Sequence, residues 1–215
     1  MKIQGTTVGI FTATLSGILF YFSTGFHQCW PLLWLAPIPV LVYAYHYPIR
    51  PSAVISFSSF FIGKLNALYY LNTGMPLLLI LSPIIFEPLI FSLLIIFNKW
   101  LVSKTQHWLA IFLFPILWTS YEFIFSLVST GGALMSLAYN QLNFLAFIQV
   151  VSVTGIWGAT FVILIFSSGI SYATYTKQRV HQVISHFHSI CVYVLWIRPP
   201  SSEVQHSVES SYSYR

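Results

Sequence analysis

The sequence predicts an all-α fold: a polytopic transmembrane helix bundle of about seven spans with its N-terminus in the cytoplasm. Three observations point there. Of the 215 residues 57% are hydrophobic and only 6% are charged, roughly a quarter of the charged share usual in soluble domains. Asp is absent altogether, and most of the charges lie between the apolar runs, as expected where burying an unpaired charge in hydrocarbon costs several kcal/mol. Finally, the basic residues between the runs fall in every second connection. The net charge of +5 is that of nine Lys and Arg, spread singly along the chain, against four Glu. They form no stripe that would follow a phosphate backbone, so nucleic acid is excluded as a partner.

The expected elements follow in order. Residues 8–22 stand behind Lys2 with no small-residue cleavage site after them, so they read as a permanent anchor and not a signal peptide. Residues 30–47 contain Pro37 and Pro39, which work against one regular helix. Residues 53–71 carry Lys64. Residues 76–97 carry Glu87 between Pro83 and Pro88, a pattern that predicts a kink beside a polar side chain. Residues 108–128 carry Glu122, residues 155–175 follow, and residues 183–197 include His186 and His188. Several runs are shorter than the ~20 residues of an upright crossing, yet backbone satisfaction in lipid still favours helices.

Lys2, Arg50, Lys99, Lys104, Lys177 and Arg179 occupy the N-terminus and alternate loops. The positive-inside rule therefore places those segments in the cytoplasm, and an odd span count exports the C-terminus. Residues 1–197 are thus expected to form the transmembrane domain. In residues 198–215 two Arg offset Glu203 and Glu209 amid Ser and Tyr without apolar periodicity, which predicts a disordered extracytoplasmic tail. The external segment 129–143 is long for a connector. Its Gly131-Gly132 pair, aromatics and amides fit either a re-entrant arm in the interface or an ordinary loop leading into a longer helix.

Trp30-Pro31-Leu32-Leu33-Trp34-Leu35-Ala36-Pro37-Ile38-Pro39 resembles a WPL-x-W-x-A-x-x-P stretch in the membrane domain of apolipoprotein N-acyltransferases. Further matches come in the family's order: Phe60-Phe61-Ile62-Gly63 running to Tyr69-Tyr70, Trp118 with Glu122, Tyr139 with Gln141, and Gly155-Ile156-Trp157-Gly158 with Phe161. Together they span about residues 10–175. The resemblance implies a bacterial inner-membrane protein of the lipoprotein N-acylation pathway that contacts phospholipid. It nominates Trp118, Glu122, Tyr139, Gln141 and Trp157 as lipid-binding residues.

In that family a nitrilase-like domain outside the membrane carries a Glu-Lys-Cys triad, and only eighteen residues follow Ile197 here. The expectation is a truncated membrane domain that is not catalytic alone and uses no cofactor. The alternatives are a half enzyme completed by a separately encoded nitrilase-like subunit, with lipoprotein as substrate, or a non-enzymatic membrane scaffold. Cys29 and Cys191 lie in contexts unsuited to a reactive thiolate, so no catalytic residue is assigned. The motif also departs from the family: Gly-x-Pro-Trp reads Gly131-Gly132-Ala133-Leu134, Gly-Tyr-x-Gln reads Ala138-Tyr139-Asn140-Gln141, and Glu-x-x-Arg ends at Phe125.

Glu122 is the most informative single residue, because a carboxyl fourteen residues into an apolar run must face other helices, water or a partner. It either orients a lipid headgroup or the arm, or sits hydrogen-bonded to Ser, Thr or Tyr of a neighbouring helix. Lys64 either pairs with it or snorkels toward an interface. Glu87 reads as structural. Among His181, His186 and His188, positions 186 and 188 point to different helix faces and no carboxylate or thiolate joins them at ligand spacing, so no metal is expected. Gly5 and Gly9 form a GxxxG that precedes the apolar run, where coincidence is the simpler explanation.

Overall fold

A computed structural model describes residues 2–25, 27–73, 77–105, 107–129, 131–134 and 136–176. Among these residues all regular structure is helical. Helix α1 (Lys2–Ser23) ends where Ser23 and Thr24 turn their hydroxyls back onto the Phe20 carbonyl at 3.1 and 2.8 Å. Gly25 then takes φ 67°, a left-handed conformation a side chain would strain. Helices α2 (Trp30–Leu35) and α3 (Pro37–His46) each carry proline in the first turn, where a missing N–H costs nothing. The expected single span over 30–47 is therefore two short helices that meet at Ala36. Hydroxyls from other helices take carbonyls at this junction: Ser16 donates to Ala36 O at 2.5 Å and Ser167 to Trp34 O at 2.6 Å.

Helix α4 (Ile49–Lys64) passes into a 3-10 turn, Leu65–Thr73, so the expected run 53–71 is a 16-residue α-helix with a tighter extension. Helix α5 (Leu77–Thr105) accommodates Pro83 and Pro88 within its 29 residues. A 3-10 turn, Trp108–Phe112, leads into α6 (Leu113–Val128). After a turn at 131–134 and a 3-10 turn at Leu137–Gln141 comes α7 (Leu145–Tyr175). This last helix begins ten residues before the expected start at 155, and Gly155 breaks it with φ 70° and ψ 179°.

Among the described residues four helices are long and apolar enough to cross a membrane: Gly5–Ser23, Ile80–Thr105, Trp108–Val128 and Leu145–Tyr175. That is fewer than the sequence led one to expect, because proline splits the second run and the third divides between α and 3-10 geometry. The expected span 183–197, with His181, His186, His188 and Cys191, and the expected tail 198–215 lie outside the described residues.

Helix α1 packs on α4, α4 on α5, α3 on α7, and α6 on α7. At the centre the rings of Phe60 and Phe91 stack at 4.6 Å, with Phe20 edge-on to Phe60 at 4.9 Å and Trp118 edge-on to Phe91 at 5.5 Å. Small residues set the close approaches, as expected where helices associate by packing in lipid. Ser52, Ser56 and Ser59 of α4 are fully buried. A Cβ on Gly17 would lie 2.7 Å from Ile62 Cβ. The Gly5–Gly9 pair, which looked coincidental in the sequence, is a packing face within the chain: Tyr43 donates to Gly5 O at 3.3 Å, and a Cβ on Gly9 would meet the Tyr43 hydroxyl at 2.9 Å. The outer surface is apolar, with Ile85, Phe86, Leu89 and Leu93 of α5 and Ile116, Phe123, Ile124 and Leu127 of α6 all exposed. An apolar shell of that extent is unlike the surface of a water-soluble monomer.

Candidate functional site

The inward face of α6 is set by spacing: Phe114, Trp118 and Glu122 recur every four residues and are buried, while Ile116, Phe123 and Ile124 face out. Trp118 and Glu122 therefore project together. The Trp118 indole N–H donates to Glu122 Oε1 at 2.9 Å. The same oxygen accepts the backbone N–H of Leu137, also at 2.9 Å. On the other oxygen, Oε2, the Ser136 hydroxyl lies at 2.8 Å and the Thr160 hydroxyl at 3.0 Å, and these two hydroxyls are 3.0 Å apart. Both oxygens of a carboxyl that is 6% exposed thus have two partners each, which meets the requirement that a buried acid be fully hydrogen-bonded.

Those partners come from three pieces of chain. Trp118 lies on α6 itself, Thr160 on α7, and Ser136 with Leu137 on the segment between them. That segment enters the bundle instead of lying as an outer loop: Ser136, Leu137, Ala138 and Gln141 are all buried. Ser136 also caps its own turn, its hydroxyl accepting the Ala138 N–H at 3.3 Å. Glu122 is consequently a clasp that holds the arm against α6 and α7.

Of the five residues nominated by sequence, Trp118, Glu122 and Trp157 line one cavity, together with Glu87, Tyr121, Phe125, Gly132, Ala133 and Ser136. Its free volume is ≈ 10 Å³, close to the least that holds one water. Gln141 is fully buried elsewhere, accepting from the Trp34 indole at 3.0 Å and donating to Trp30 O at 3.3 Å. It ties the arm to α2, where Trp30 also stacks on Phe144 at 4.1 Å. Tyr139, half-buried, does not line the cavity.

Lys64 pairs with Glu87 at 2.5 Å and not with Glu122, an outcome that neither alternative given above anticipated. Glu122 needs no cation because four uncharged donors surround it. Sequence reasoning missed Ser136, Thr160 and the Leu137 N–H, which lie 14, 38 and 15 residues from Glu122. Thr160, the first hydroxyl residue of the apolar run 155–175, was the one available signal. It also missed Trp34 as the partner of Gln141, which lies 107 residues away.

On the outer side of α6 a wider groove of ≈ 390 Å³ is lined by Thr119, Ser120, Phe123, Ile124 and Trp157. Trp157 belongs to both linings and meets Phe123 edge-on at 5.7 Å. Among the described residues no three His, Cys, Asp or Glu side chains gather as a metal-ligand set.

A family model described as the apolipoprotein N-acyltransferase N-terminal domain matches residues 16–169. This range includes every residue of the Glu122 clasp. No curated protein matches the chain.

Proposed function

The chain belongs to the apolipoprotein N-acyltransferase N-terminal domain family, and from that premise we propose that it is a multi-pass inner-membrane domain that holds phospholipid beside its arm. In this reading the N-terminus is cytoplasmic. The α2–α3 pair and α4 with its 3-10 extension cross the bilayer alongside the four long helices, and the arm at 129–143 lies at the outer leaflet.

The observation that carries the lipid reading is the Glu122 clasp. It fixes the arm at Ser136–Leu137 to α6 and α7, which keeps the α6–α7 groove in one shape. Phe123, Ile124 and Trp157 offer that groove an apolar floor, while Ser120 supplies a hydroxyl. A phospholipid presents the same combination, an acyl chain below ester and glycerol oxygens. Apolar walls with a few placed polar groups are what lipid-sized ligands require.

The test is photocrosslinking with a phospholipid carrying a diazirine on its acyl chain, in bilayers, with adducts mapped by mass spectrometry. Adducts are expected to concentrate on 119–124 and 157. Adducts spread over Phe86, Leu89 and Leu93 in proportion to their exposure, without enrichment in the groove, would count against the proposal.

A further inference from the structure

The cavity behind Trp157 is lined by an acid with one oxygen that no partner answers. Glu87 and Glu122 both line it. Glu87 is 5% exposed, and only its Oε2 is engaged, by Lys64. Its Oε1 is buried without a hydrogen-bond partner. Leaving a carboxylate oxygen unpaired in a low-dielectric interior is costly, so such an atom calls for an explanation. Lys64 answers one of the two acids, while the four partners of Glu122 are uncharged.

The remaining walls suit a positive guest. Trp118, Tyr121, Phe125 and Trp157 all line the cavity, and aromatic faces attract a cation most strongly when it is desolvated. The Tyr121 hydroxyl adds an oxygen. Size narrows the choice further, since a free volume of ≈ 10 Å³ takes a single atom-sized centre. A divalent ion is a poor match, because it asks for six or more oxygen ligands or a fixed octahedron.

We propose that this cavity binds one small monovalent cation, of the size of a sodium ion or a primary ammonium head, beside Glu87. Glu87 Oε1 is its principal ligand and Tyr121 and the ring faces complete the site. Gly132 and Ala133 of the arm, which also line the cavity, form the side from which it enters. The site shares Trp157 with the outer groove but not Glu87, so a salt response lost in the Glu87 variants is read independently of phospholipid contact there.

The experiment measures the thermal unfolding midpoint of the full chain in neutral detergent. Sodium chloride or ethylammonium chloride is titrated at constant ionic strength, with choline chloride as the balancing salt because its trimethylammonium head is too large. A saturable rise in midpoint with sodium identifies an inorganic ion, and one with ethylammonium alone identifies an amine. Either supports the site. Glu87→Gln is expected to abolish the response and Tyr121→Phe to shift half-saturation at least tenfold. Should Glu87→Gln fail to fold with Lys64 left unpaired, the neutral pair K64Q/E87Q is used and must also lose the response. A wild-type midpoint equal in all three salts would overturn the proposal, as would an undiminished response in the Glu87 variants.

Discussion

Replacing Glu122 by Ala tests the clasp most directly, because it removes one acceptor group from four donors at once. Two of these donors, the Trp118 indole N–H and the Leu137 backbone N–H, both 2.9 Å from Oε1, cannot become acceptors. The Ser136 and Thr160 hydroxyls can instead turn to each other across their 3.0 Å separation. A buried donor left without a partner costs about 1–3 kcal/mol, so the two stranded N–H groups together cost roughly 2–6 kcal/mol. For Leu137 alone, about 1–3 kcal/mol corresponds to amide exchange faster by about five- to 150-fold. Hydrogen exchange with mass spectrometry on protein in nanodiscs reads this out, comparing peptides over 136–141 with peptides from α5. Glu122→Gln keeps a carbonyl oxygen for the two N–H donors and offers an amide to the two hydroxyls, so exchange at Leu137 should rise far less than in Glu122→Ala. Unchanged protection of 136–141 in Glu122→Ala, or equal effects of the two variants, would refute the clasp.

Other expectations follow from the packing. Lys64→Met should destabilise by about 3–5 kcal/mol, since it strands the buried Glu87; K64M/E87M should regain most of that in a double-mutant cycle of unfolding free energies. Gly17→Ala puts a methyl 2.7 Å from Ile62 Cβ and 3.1 Å from Ser59 O, and should cost about 1–3 kcal/mol by thermal unfolding. Glu122→Lys should reduce membrane-inserted protein, because a lysine near mid-bilayer costs about 2.5–3.5 kcal/mol; normal yield and fractionation would contradict this. Reporter fusions at 104–107 should remain cytoplasmic and fusions at 131–133 should be external; the reverse would overturn the proposed orientation.

The helical positions were legible because they are properties of local composition. Charge scarcity and apolar runs marked each described segment, and Pro37 and Pro39 warned of the division between α2 and α3. The start of α7 was misplaced because Gly155 looks like a terminus in sequence, whereas residues on both sides are apolar and helical around one left-handed residue. The clasp was half legible. Trp118 and Glu122 share a face by helical spacing, but no periodic pattern predicts which backbone N–H a carboxyl will accept from a loop. Gln141 was nominated beside Tyr139 by motif adjacency alone. In a 3-10 turn the two point to different neighbours, so Gln141 reaches Trp34 while Tyr139 stays half-buried. Lys64 and Glu87 were each noticed but not joined, because pairing across helices depends on how α4 lies against α5.

The clasp also imposes an order on biosynthesis. Glu122 leaves the ribosome before all of its tertiary partners, and Thr160 follows 38 residues later. At about 5–20 residues per second the delay is roughly two to eight seconds. For the first 14 residues of that interval the carboxyl has only Trp118 of its own helix as a partner, and until Thr160 arrives its set is incomplete. A nascent α6 released into lipid at that stage would expose an acid to hydrocarbon, so its lateral partition is best delayed until α7 arrives. Helices α6 and α7 are therefore expected to leave the translocation channel as a pair, with the arm folded between them, so that the acid that clasps the finished bundle would also time its assembly.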